Sequence, residues 1–362
     1  MSTPPGQMPP PPTGPPWGPP PANSPRTSRA TKWVLGGLAL LVVVVVTVAV
    51  TFLVTRSAPG TSDPSTTSAG TTTTTVEPKV ASADDRDPAG IILDDPTCGE
   101  WEPIYTAFAQ AQQNGWHLRD PAVPETQWTL DQRAQYEAVG AALRDTSRRT
   151  VELAVRTPHR VMRHLYEQFI AYSRTYADRI PGYTADADAY VGVSVSVAET
   201  LKAVCNAISY GSAGARSPLV PRAAPTPGPL TAPSPDNPEM FLTELHPQCE
   251  RWITAAQEFV DATSAWRQID PNIPADQLAQ AQREVNAATF PVMESYADET
   301  QLIGRESDVA TWVDIATFSS QYRRAYASAL LTYAPADEFL QAASGNAVSA
   351  VTEACRAVGA DG

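Results

Sequence analysis

The chain has 362 residues, with 43% apolar and 18% charged side chains and a net charge of −13. That length allows two or three domains at roughly 100–200 residues each. The acidic balance argues against nucleic acid or an anionic membrane surface as the main partner. Prolines are concentrated, twelve in residues 1–32 and eight in residues 217–238, and neither stretch can form globular core.

Residues 1–32 read as a Pro-rich disordered cytoplasmic tail, of which residues 1–25 favour solvated polyproline II. Residues 33–54, WVLGGLALLVVVVVTVAVTFLV, carry no charge and are long enough as a helix to cross a bilayer core of roughly 30 Å. Arg26, Arg29 and Lys32 precede this span, and only Arg56 follows closely, which predicts a cytoplasmic N-terminus and an outer C-terminal region. Residues 1–56 hold four basic and no acidic side chains, which leaves −17 for residues 57–362. Residues 55–87 form a Ser/Thr-rich stalk. A second Pro-rich linker, 216–238, divides the outer region into residues 88–215 and 239–362.

These two segments repeat each other. Cys98-Gly-Glu-Trp101 matches Cys249-Glu-Arg-Trp252, and from Trp116 onward the offset is 150: Trp116 with Trp266, Asp120-Pro121 with Asp270-Pro271, Gln132-Arg133 with Gln282-Arg283. The pattern Tyr-x-Arg-x-Tyr-Ala occurs at Tyr172 and at Tyr322. So long a period means two domains rather than a solenoid. Each copy reads as four helices. In the first, Asp95-Pro96 should start a helix, and Trp101, Tyr105 and Phe108 share one of its faces. Thr129 and Gln132 form a capping box for a second helix through about residue 156. A third follows Thr157-Pro158 and a fourth follows Thr184; the strand-like alternation of Val191–Val197 is the one local dissent. The fold class is therefore all-α: one transmembrane helix plus two tandem disulfide-closed four-helix bundles.

The four cysteines lie on the oxidising side of the span. Separations of 107 and 106 within the copies do not suit a zinc site but do suit bridges Cys98–Cys205 and Cys249–Cys355, which would join the ends of up-down-up-down bundles. No two histidines are spaced to share a metal, no catalytic motif or nucleotide fingerprint is visible, and no cofactor is expected. Asp186 and Asp188 suit the first turn of a helix. His159 and His164 are expected on a helix surface. Arg174 and Arg324 could read a carboxylate, although the aromatic residues beside them suit a core.

Charge is the most distinctive signal. Residues 144–164 carry +4 and the matching residues 294–314 carry −5. One reading docks the repeats, or neighbouring chains, through Arg149, Arg156, Arg160 and Arg163 against Glu299, Glu306, Asp308 and Asp314. The other leaves two independent domains with differently charged solvated faces.

The tail, span and stalk together resemble the proline-rich single-pass membrane proteins of the actinobacterial (mycobacterium-like) envelope. That resemblance covers residues 1–80 and carries no site residues; the helical part resembles no recognised family. The expected role is binding or scaffolding at the cell envelope, with the bilayer engaged through residues 33–54 and a protein or other envelope component as partner. An envelope enzyme with a dispersed, hydrolase-like site and a single-pass sensor are the alternatives.

Overall fold

The structure is a computed structural model that describes residues 80–225 and 232–359. The tail, the apolar segment 33–54 and most of the stalk lie outside the described residues. Nine α-helices and no strands occur among those described. They are α1 (Cys98–Gln112), α2 (Leu130–Arg156), α3 (Arg160–Arg179), α4 (Asp188–Ser209), the short α5 (Ser212–Arg216), α6 (Gln248–Ala262), α7 (Gln280–Glu306), α8 (Ala310–Ala329) and α9 (Glu338–Ala357). Helices α1–α4 and α6–α9 are the two copies of the repeat.

Local signals set most of the helix ends. Gln132 N–H donates to Thr129 Oγ1 and Thr129 N–H donates to Gln132 Oε1, the reciprocal box that opens α2. In the second copy Ala279 has no hydroxyl, so only the Gln282 half of that box survives, with Ala279 N–H donating to Gln282 Oε1. Gly211, at φ 80, takes the left-handed conformation that ends α4 and turns the chain into α5. Helix α1 begins at Cys98, later than the Asp95-Pro96 start expected from sequence. Asp95 is instead a buried acceptor, bonded by Thr97 N–H, the Thr97 hydroxyl and the Thr157 hydroxyl, and it ties the chain before α1 to the end of α2.

Each bundle packs around tryptophan. Trp101 meets Tyr166 and Phe169 edge-on at 5.6 and 5.3 Å, and Trp252 meets Trp312 at 5.7 Å. The cysteines are paired as Cys98–Cys205 and Cys249–Cys355, each with Cα atoms 5.4 Å apart. Each bridge ties the start of a bundle's first helix to the end of its last. Residues α7 and α8 approach closely at Gly304, where a Cβ would stand 2.2 Å from the Ala316 Cβ.

The two copies do not stand apart. Residues 80–359 fall within one compact unit, and the most extensive helix contact in it is between α4 and α9, one from each copy. These helices run antiparallel: Tyr210, just past the end of α4, stacks on Phe339 near the start of α9 at 5.0 Å, while Gly192 near the start of α4 faces Glu353 near the end of α9. Four of the nine buried residues of α9 are alanines (Ala343, Ala347, Ala350, Ala354), and small side chains let helix backbones approach. Helix α4 thus packs on its own bundle and on α9, so its apolar residues spread around the cylinder. That is why Val191–Val197 alternates without being a strand. By length and composition α4 with its preceding turn, Ala185–Ser209, could also cross a membrane, but Val191, Val193, Val197 and Leu201 are buried in this core.

A seam held by burial rather than by surface charge has two testable consequences. Thermal unfolding of residues 57–362 should show one transition rather than two. Small-angle scattering at 1 M salt, where screening shortens to about 3 Å, should give the same radius of gyration as at low salt; expansion would contradict the α4–α9 seam.

Candidate functional site

The polar groups that sequence singled out divide between the seam and the outside. Helix α3 is buried on nearly every side from Arg160 through Ser173, although it carries Arg160, Arg163, His164, Glu167 and Gln168. Two chain segments cover it. The first is residues 80–96: Arg160 donates to the carbonyls of Asp85 (2.6 Å) and Asp87 (3.0 Å), and Arg163 Nε donates to Ser82 Oγ. The second is residues 232–246, the end of the Pro-rich linker: Ser234 N–H donates to Glu167, Phe241 N–H to Gln168 Oε1, and Arg174 to the Asp236 carbonyl.

The two arms are related by the internal repeat. Tyr172 OH donates to the Leu242 carbonyl, and Tyr322 OH accepts from the Ile92 amide. Counted from the paired cysteines, Leu242–Thr243 and Ile91–Ile92 are the same peptide unit in each copy. Each copy's leading segment therefore crosses to the third helix of the other copy, and Phe241 stands between Tyr172 and Trp312 at 6.2 and 6.4 Å.

Helices α3 and α8 meet where His164 and Asp314, equivalent positions in the repeat, face each other at 3.2 Å. Asp314 accepts two bonds from Arg160, at 2.7 Å from Nε and 3.0 Å from Nη2. Burial alone would raise the Asp314 carboxyl; the His164 imidazole and the Arg160 guanidinium more than reverse that and hold it well below the usual carboxylate range. His164, expected on the surface, is 1% exposed because α8 and the first arm cover that side of α3.

Of the eight charged residues proposed to join the repeats, only Arg160 and Asp314 meet across the seam. Arg163 pairs with Glu167 on its own helix, and Arg149 lies 3.8 Å from Asp145. Asp308 is exposed in the left-handed turn (φ 55) between α7 and α8. Arg156 pairs with Glu100 of α1, while Glu306, with Glu299 near by, pairs with Arg251 of α6. Glu100 is equivalent to Arg251, and Arg156 to Glu306. The same bridge between first and second helices thus occurs in both copies with its signs exchanged. At this bridge the inversion of charge reflects pairing inside each copy, where a swap of both partners leaves the attraction intact. Asp188 likewise has a structural partner, Arg119 at 2.6 Å. Arg324 is taken up by Asp298 and Gln301.

Sequence reasoning missed the residue beside Arg324. Arg323 is 3% exposed, and its Nε and Nη1 meet no acceptor among the described residues. Its guanidinium lies 4.9 Å from the Phe259 ring centre, and Arg267 approaches the same ring at 5.8 Å. Burial pushes both arginines down. Nearby, burial raises Glu338 to about 7, opposed by the Arg323 charge and the Tyr333 hydroxyl. The usable signal was a difference between copies: Arg323 stands where the first copy has Ser173.

A family model described as mycobacterial ESX-1 associated protein matches residues 80–359, which are the two arms and both bundles. The chain belongs to that family. The helical region, which by sequence reading resembled nothing known, is therefore the family's defining part. An uncharacterized protein of Mycolicibacterium smegmatis (strain MKD8) is 42% identical over 368 residues, covering 99% of this chain and 97% of the relative. No solved structure matches the chain.

Within the family region, the Arg160–Asp314 pair should behave as a buried ion pair. Asp314→Ala strands a buried guanidinium and should destabilise by about 3–5 kcal/mol. Adding Arg160→Met to it should recover a large part of that loss in guanidinium unfolding. A double variant no more stable than Asp314→Ala would contradict the pairing.

Proposed function

We propose that this protein is a secretion-related binding protein of the mycobacterial cell envelope, anchored by residues 33–54 with its two-repeat body outside the cytoplasm. The observation that carries the reading is the match of residues 80–359 to a family described as ESX-1 associated. The partner is a protein of that system, and the role is binding rather than catalysis. Three further features support it. The basic residues before the apolar segment favour a cytoplasmic N-terminus. The two bridges, one closing each bundle, suit the oxidising side of the membrane. The ionic groups Arg160–Asp314, Arg119–Asp188 and Arg216–Asp337 are engaged in holding the fold.

Protease added to intact protoplasts should remove residues 57–362 and spare the N-terminal tail. Crosslinking in membranes followed by purification of the tagged chain should recover components of ESX-1, and should fail to do so when residues 80–359 are deleted. Protection of the outer body from protease would overturn the topology. Recovery that is unchanged by the deletion would overturn the assignment of binding to the two-repeat body.

A further inference from the structure

The chain passes from the first copy to the second through a crossing that is fastened at both ends. Before it, Arg216 pairs with Asp337 at 2.7 Å and donates to the Thr332 carbonyl at 3.0 Å. After it, Ser234 N–H donates to Glu167 at 2.9 Å and Arg174 donates to the Asp236 carbonyl at 2.8 Å. Between these anchors the chain leaves a short 3₁₀ turn, Ser217–Leu219, and extends at Val220 with φ −111 and ψ 124. Residues 221–225 belong to no helix or turn, and Pro221, Arg222, Ala224 and Pro225 are exposed. The Arg222 side chain is 83% exposed. Its neighbour Asp87, at 3.7 Å, is 79% exposed, and such a pair holds an arginine only weakly.

A serine protease takes its substrate as an extended strand, so a bond inside a helix must unwind before it can be cut. The trypsin-like class has a carboxylate at the base of the pocket that receives the side chain before the cut bond, and therefore selects arginine or lysine there. The run Leu219-Val220-Pro221-Arg222-Ala223-Ala224 offers each of these features. Pro221 fixes the backbone ahead of the arginine, which lowers the ordering cost of entering a cleft. Ala223 is small, and its amide is an ordinary secondary one. Arg222 is the only Arg or Lys between Arg216 and Arg251. Other basic residues fit less well. Arg119 and Arg216 are engaged with Asp188 and Asp337. Arg86 is exposed but lies between Asp85 and Asp87, whose charges oppose the carboxylate of such a pocket.

We propose that the Arg222–Ala223 bond is a processing site for a trypsin-like serine protease, and that the cut yields a two-chain body rather than two separate domains. Hydrolysis adds one water across the bond: Arg222 gains a carboxylate and Ala223 an amino group. No disulfide spans the cut, because Cys98–Cys205 lies wholly before it and Cys249–Cys355 wholly after it. The pieces stay together through the α4–α9 seam, the crossed arms and the Arg216–Asp337 pair. The second copy is then held to the first by non-covalent contacts alone, so opening of the seam becomes release of residues 223–362.

Limiting trypsin added to the full chain in detergent tests this, with mass spectrometry locating the cuts between residues 80 and 359. The first of them should follow Arg222. Arg222→Gln should slow the appearance of residues 223–362 at least about a hundredfold. Ala223→Pro, which keeps the arginine but makes the amide tertiary, should do the same. Gel filtration of the nicked protein should give one body, and denaturing electrophoresis without reductant should give two pieces. A C-terminally tagged chain expressed in mycobacteria should yield a piece that begins at Ala223, and both variants should abolish it. An earlier cut elsewhere between residues 80 and 359, separation of the pieces on gel filtration, or recovery of uncut chain alone from the cells would each overturn the assignment.

Discussion

The antiparallel packing of α4 on α9 turns a tandem repeat into one body. Each of these helices is the last of its own bundle, and each is closed to its first helix by a disulfide. Joining the two last helices places both bridges, both aromatic cores and both third helices about one local axis. His164 and Asp314, equivalent residues, face each other at 3.2 Å on that arrangement, as residues beside a two-fold axis must. The alanines of α9 make the close approach feasible. Large side chains at these buried alanines would overpack the interior around α9.

Symmetry at the axis creates a chemical problem that the sequence solves by breaking it. Two identical ionisable residues facing each other in a dry interior would repel or leave each other unsatisfied. The first copy supplies an imidazole and the second a carboxylate, and Arg160, whose equivalent is Ala310, completes the neutralisation. Further from the axis the copies are free to diverge. The bridge between first and second helices exchanged its signs, and the interior of the second bundle acquired Arg323 opposite Gly345. Duplication followed by such divergence lets one half keep a packed core while the other gains a polar interior.

Most of the helical order was legible because its signals are local: the Thr129–Gln132 box, the Gly211 stop, the tryptophans and the paired cysteines. The joining of the copies was not. A helix covered on two sides loses its amphipathic stripe, so α4 advertised a strand where it has a second neighbour. The surface placement of His164 failed for a related reason, since the arms that bury α3 come from residues far away in sequence. The charge inversion was visible, but the partners of Arg156 and Glu306 are Glu100 and Arg251, which lie outside residues 144–164 and 294–314. Arg323 went unnoticed because the repeated motif drew the eye to Arg324, whereas the information lay in what the copies do not share.

The crossing of the arms decides how this body would carry a mechanical load applied at its N-terminal end. The described chain begins at residue 80 and runs directly over the seam, bonded at Ala81 to the Val155 carbonyl, at Ser82 to Arg163 and at Ile92 to Tyr322 of the opposite copy. Tension applied at residue 80 would therefore be shared by both bundles before it reaches Cys98, where the first bridge passes it to α4 and so to α9. A pull that would peel a simple tandem array one bundle at a time here meets both together.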